Sequence, residues 1–103
     1  MIRAPFLVPA LLRFPGGAAR QDAWGRLVKI TAGGAELSTG ASLARGESVI
    51  VRFHLGGERL EIAARVHHSG RDDDGQCLAE LSWSDMVERR RLARVLLEVL
   101  SKS

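Results

Sequence analysis

The stretch SVIVRFHLGGERLEIAARVHH, Ser48 to His68, decides the fold class. Val49, Val51, Phe53 and Leu55 fall on one side of an alternating run, opposite Arg52 and His54. Leu60, Ile62, Ala64 and Val66 alternate in the same way against Glu61 and Arg65. Apolar residues at period two mark strands with one buried face. Between the two runs stands Gly56-Gly57, and tight hairpin turns need positive φ at their central residues. The pattern predicts an antiparallel β-hairpin.

Four further strands read outward from that hairpin. Phe6 to Phe14 is apolar and is broken or edge-placed by Pro9, which cannot donate to a ladder. Trp24 to Thr31 and the short Ala35 to Ser38 flank a Thr-Ala-Gly-Gly break, and Gln76 to Leu81 places Cys77, Ala79 and Leu81 on one face. PGGAARQD, TGASLARGE and SGRDDDG read as loops, with Asp72-Asp73-Asp74 at a solvated hairpin tip. The C-terminal segment changes period. A helix-start residue at Ser82 or Ser84 precedes Asp85 and Glu88, which suit a first helical turn. Leu92, Val95, Leu96 and Val99 then recur at helical spacing, with Met86, Ala93, Leu97 and Leu100 widening the stripe. Glu88, Arg91, Arg94 and Glu98 form its polar face. Six strands burying one face, followed by one amphipathic helix, predict an all-β fold with a C-terminal α-helix: a six-stranded antiparallel β-barrel plugged at an end or side. The chain is expected to be one domain over 1–103, with the barrel over about 5–82 and the helix over about 84–100.

The 103 residues are 46% hydrophobic and 26% charged, as in an ordinary soluble domain. The formal net charge of +3 favours anionic partners without choosing among them. A single cysteine, Cys77, excludes an internal disulfide and fits a reducing compartment. MIRAPFLVPALLRF is interrupted by two prolines and Arg13 and lacks an A-x-A cleavage pattern, so a signal peptide is not expected. No window approaches the roughly 20 apolar residues of a membrane span, and a cytoplasmic location is expected.

Catalytic chemistry finds no purchase in the residues. Adjacent His67 and His68 in a regular strand point to opposite faces and cannot share a metal. His54, Asp72 to Asp74 and Cys77 lack metal-ligand spacing. Cys77 on an inward face reads as core, because reactive thiols need exposure and a cationic neighbour. No G-x-S-x-G, H-E-x-x-H or phosphate-loop pattern occurs, so neither an enzyme nor a metal site is expected. Glu88-Arg89-Arg90-Arg91 reads as a solvated helix face in preference to a nucleic-acid patch. Aromatics for base stacking are only 5% of the chain.

One stretch carries a family likeness. Gly25-Arg26-Leu27-Val28-Lys29-Ile30-Thr31-Ala32-Gly33-Gly34-Ala35-Glu36-Leu37 resembles, without a gap, the central motif of the PilZ domain, the bacterial receptor for cyclic di-GMP. ASLARGESVIVRFHL, LEIAARVHH and GQCLAELSWSD are similar to the family's following strands, so the likeness covers nearly the whole chain. It implies a PilZ-like β-barrel and a possible ligand, cyclic di-GMP, with no cofactor. The family binds that ligand through Arg-x-x-x-Arg and Asp/Asn-x-Ser-x-x-Gly. The resemblance places Arg3 at the second arginine, with the first falling before Met1. Thr31 stands for the serine, Gly34 matches the glycine, and Lys29 replaces the acid or amide. Lysine donates hydrogen bonds but accepts none. Thr31 and Gly34 also fit a purely structural turn, Gly by positive φ and Thr by a local backbone bond. The expected function is a signalling module in a cyclic di-GMP pathway that contacts a protein partner and binds nucleotide weakly or not at all. An atypical true receptor using Arg3, Lys29 and Thr31, and a small basic barrel binding nucleic acid, are the alternatives.

Overall fold

The computed structural model describes residues 2–16 and 20–101, without the side chains of residues 2–7 and 100. Six strands precede one helix: β1 (Ile2–Arg13), β2 (Ala23–Ile30), β3 (Gly34–Thr39), β4 (Ser48–Leu55), β5 (Glu58–Arg71), β6 (Cys77–Trp83) and α1 (Met86–Ser101). All pairings are antiparallel, and the strands close in the order β1-β2-β3-β6-β5-β4. The expected barrel and its C-terminal helix are therefore present. Closure removes the free edges that an open sheet would expose.

Alternation fills the interior. Leu12, Leu27, Leu37, Val51, Phe53, Leu60 and Ile62 are all fully buried. Phe53 stacks on Trp83 with ring centroids 6.1 Å apart, within the range where aromatic pairs attract. Cys77 is buried in the same core. β1 is longer than Phe6 to Phe14, and Pro9 does not break it. Pro9 pairs with Arg26 of β2, while the ladder to β4 starts one residue later at Ala10. Its missing N–H thus falls where β1 has a neighbour on one side only.

The β4–β5 hairpin matches the sequence reading. Gly56 and Gly57 have φ of 59° and 80°. A Cβ on Gly56 would also lie 2.9 Å from Val99 Cγ2 of the helix. Gly56→Val is therefore expected to cost about 2 kcal/mol or more in backbone strain, and to lower Tm by roughly 10 °C. An unchanged melting curve would refute the turn's role.

The helix begins later than Ser82 or Ser84. Ser82 belongs to β6, and Asp85 is the cap: its Oδ1 accepts from the Val87 and Glu88 N–H groups at 3.0 and 3.2 Å. A carboxylate serves this position as well as a hydroxyl and also favours the helix dipole. Leu92, Val95 and Leu96 are buried as expected. Met86 and Leu97 are not: they are 58% and 68% exposed, beside Val87 at 74%. Only one stripe of the helix rests on the β4–β5 hairpin, where Arg91 donates to Glu58 at 2.9 Å. Leu96→Asp would place a charge under that stripe at a cost of about 3 kcal/mol. The expected result is loss of the far-ultraviolet helical signal well below the wild-type Tm. An unaltered spectrum and melt would show that this face is not needed.

Candidate functional site

Two β-bulges aim the residues that matter. Strict alternation from Gly25 and Leu27 would turn Lys29 inward. The β2–β3 ladder shifts by one residue between Leu27 and Lys29, so Lys29 faces out and Ile30 returns to the core. An extra residue of this kind re-aims side chains, often beside functional surfaces. A second shift, between Val66 and His68, does the same in β5. His67 and His68 are consequently both exposed rather than split between faces. Outside the barrel the ladders then align one row: Lys29 opposite Glu36, Glu36 opposite Glu80, and Glu80 opposite His68. Arg3 extends the row at backbone level, paired with Lys29. Its side chain lies outside the described ones.

The Thr31–Gly34 turn is held from within. Thr31 Oγ1 accepts from the N–H groups of Gly33 and Gly34 at 3.2 and 3.0 Å and donates to Gly34 O at 3.2 Å. A hydroxyl has one donor and two lone pairs, so its capacity is spent inside the turn. The Trp83 indole donates to Thr31 O at 3.0 Å, and the Trp83 N–H to Gly33 O at 3.0 Å. Arg89 of the helix reaches Ala32 O at 3.4 Å. The turn role expected of Thr31 is present. The reason expected for Gly34 is not, since its φ is not positive. Gly34 is required because a Cβ there would lie 1.9 Å from Leu81 O of β6.

Above the turn lies an open cleft of about 320 Å³, bordered by Lys29, Thr31, Gly33, Glu36, Glu80 and Ser82. The structure thus brings Lys29, Thr31 and Gly34 together. It adds two carboxylates that the sequence reading did not include. Glu36 and Glu80 face each other in register, and like charges directly opposite repel. Among the described residues neither has an ion-pair partner. Among the described residues no group of three or more His, Cys, Asp or Glu is placed to hold a metal ion. No helix among them is long and apolar enough to cross a membrane.

This closed six-stranded barrel with its C-terminal helix is the architecture of a family of regulatory domains. The chain belongs to the PilZ family: the PilZ domain model matches residues 2–98. The PilZ domain of CeSA from a cellulose-synthesizing bacterium is similar in structure, with TM-score 0.65 and 24% identity, covering 93% of this chain and 98% of that one. The PilZ domain of YcgR from Escherichia coli, solved with c-di-GMP, gives TM-score 0.68 at 12% identity over 93% of this chain and 83% of that one. MrkH of K. pneumonia in its apo state gives 0.73 at 15% identity over 98% of this chain and 50% of that one. At these identities the likeness establishes the fold. No curated protein matches the chain.

Proposed function

We propose that this PilZ domain is a signalling module of a bacterial cyclic di-GMP pathway that works through contacts with a protein partner and binds the dinucleotide weakly or not at all. The charge of the cleft carries this reading. Lys29 stands where the family motif has an acid or amide, so the acceptor that would meet guanine N–H groups is a donor instead. Glu36 and Glu80 then set two carboxylates on the floor over which a doubly anionic ligand would lie. Desolvating phosphates against carboxylates is unfavourable. Thr31 contributes little beyond its turn, and Gly34 is needed for strand packing. Arg3, Lys29, Thr31 and Gly34 are the residues through which any residual nucleotide binding would run.

The partner surface in this reading is the outer face of α1. Met86, Val87 and Leu97 are exposed there, alongside Arg90 and Arg94. Apolar side chains with arginine nearby resemble the core of a transient interface more than an ordinary solvated face.

Calorimetric titration of the protein with cyclic di-GMP tests the nucleotide half. Heat no larger than that of dilution up to tens of micromolar ligand is the expected result. The atypical-receptor reading is kept by one feature: the cleft is open, and Gly33 leaves its approach uncovered. Submicromolar saturation would establish that reading in place of ours.

A further inference from the structure

A second cleft, of about 210 Å³, opens on the barrel wall next to the first and shares Ser82 with it. Its lining is Arg45, Gly46, Arg65, Val66, His67 and Ser82. In contrast to the neighbouring cleft, no carboxylate borders it. Arg65 and His67 are two apart in β5, on the outward side, with Val66 buried between them. Arg65 is flanked in register by Ser82 of β6 and Ser48 of β4, so small hydroxyl residues stand on both sides of the guanidinium. Among the described residues, Arg45, Arg65 and His67 make no side-chain hydrogen bond or ion pair. Arg13, Arg20, Arg52 and Arg91 each lie against a carboxylate.

The loop carrying Arg45 is fixed in place. Gly46 N–H donates to Val66 O at 2.7 Å, and Val66 N–H donates to Glu47 O at 2.8 Å. Glu47 Oε1 accepts from Ala44 N–H at 3.1 Å, and its other oxygen takes Arg20, which also reaches Ser42 O. The Glu47 carboxylate is therefore occupied in holding the loop. Arg45, Arg65, His67 and Ser82 thus border one hollow, and guanidinium geometry matches phosphate oxygens.

We propose that Arg45, Arg65, His67 and Ser82 form a binding site for the phosphate group of a small molecule. The phosphate position lies outside the family's nucleotide motif. Free inorganic phosphate and a nucleotide monophosphate share this chemistry. In the second case the rest of the ligand extends past Ser82, where Glu36 and Glu80 accept from donors such as the guanine N1–H and N2–H₂.

The test is an amide-resolved NMR titration of the whole chain with sodium phosphate, then with guanosine monophosphate, against sodium chloride at matched ionic strength. Saturable shifts at Gly46, Arg65, His67 and Ser82 are expected with phosphate. Arg65→Ala should weaken them about tenfold, with an unchanged melting curve because Arg65 is exposed. Arg26→Ala, which alters an arginine elsewhere on the barrel, should have no effect. Saturation by phosphate and by the nucleotide at similar concentrations identifies a free oxyanion site. Tighter saturation by the nucleotide, with added shifts at Glu36 and Glu80, identifies a nucleotide phosphate. Shifts that rise linearly, are reproduced by chloride, or survive Arg65→Ala undiminished would overturn the site.

Discussion

Gly34→Ala is expected to unfold the barrel or leave it with a greatly lowered Tm, whereas Gly33→Ala, one residue away, is expected to be nearly silent. The added methyl at Gly34 would lie 1.9 Å from Leu81 O, where contacts under 3.0 Å are essentially never seen. The obstacle is the backbone of β6, so no rotamer change relieves it. β3 and β6 must separate, and that breaks the bond from Trp83 N–H to Gly33 O and tilts the indole away from Thr31 O. Trp83 also stacks on Phe53 at the barrel centre, so the damage spreads to the core. Overpacking of this kind costs about 3 kcal/mol or more, roughly 12 °C or more for a domain this size. At Gly33 the nearest atom to a new Cβ is Thr31 Oγ1 at 3.9 Å, an ordinary contact worth less than about 0.5 kcal/mol either way. Thermal melts of the two variants decide it. Equal melting temperatures would mean that the strands at Gly34 are not as close as the geometry requires.

That contrast shows what the sequence could and could not disclose. Alternation in Ser48 to Leu55 and the glycine pair after it identify a hairpin, because both signals are local. The need for glycine at Gly34 is not local. It comes from β6, more than forty residues further on. For the same reason positive φ was the available explanation from sequence and the wrong one. The bulges at Val28 and His67 were equally hidden. A bulge shifts the ladder by one residue, and neither Val28-Lys29 nor the identical pair His67-His68 carries an alternation that fixes the register. The buried face of the helix was legible at Leu92, Val95 and Leu96. Its limit was not, because Met86 and Leu97 lie beyond the width of the hairpin beneath.

The candidate site divides along the same line. Lys29, Thr31 and Gly34 sit within six residues, so their likeness to a family motif was visible. Glu36 and Glu80 become neighbours only once β3 and β6 pair. Arg45 and Arg65 meet only once the loop before β4 folds back on β5. These long-range juxtapositions determine the charge of both clefts. A motif read alone therefore leaves out the carboxylate pair of the first cleft and the arginine pair of the second.

The charge of the first cleft sets the largest expected change in binding. The wild-type protein is expected to bind cyclic di-GMP no tighter than about tens of micromolar. The acceptor replaced at Lys29 costs roughly 1–3 kcal/mol, about one to two decades of affinity, and a bidentate guanidinium contact is worth a similar amount. Supplying the whole motif takes two changes, Lys29→Asp and an arginine placed four residues before Arg3. That double change is not sufficient by itself, because a carboxylate at position 29 stands directly opposite Glu36. Like charges in opposed positions repel, so part of the gain is lost. Adding Glu36→Gln removes that repulsion and keeps the side-chain shape. Titrations should rank the affinities as wild type, then the double change, then the triple change, with the triple about two decades or more above wild type. Glu36→Gln alone should improve binding by less than about tenfold, because it relieves repulsion without supplying a contact. A wild type that binds in the submicromolar range, or a triple change that gains nothing over it, would show that the carboxylate row does not set the affinity of this cleft.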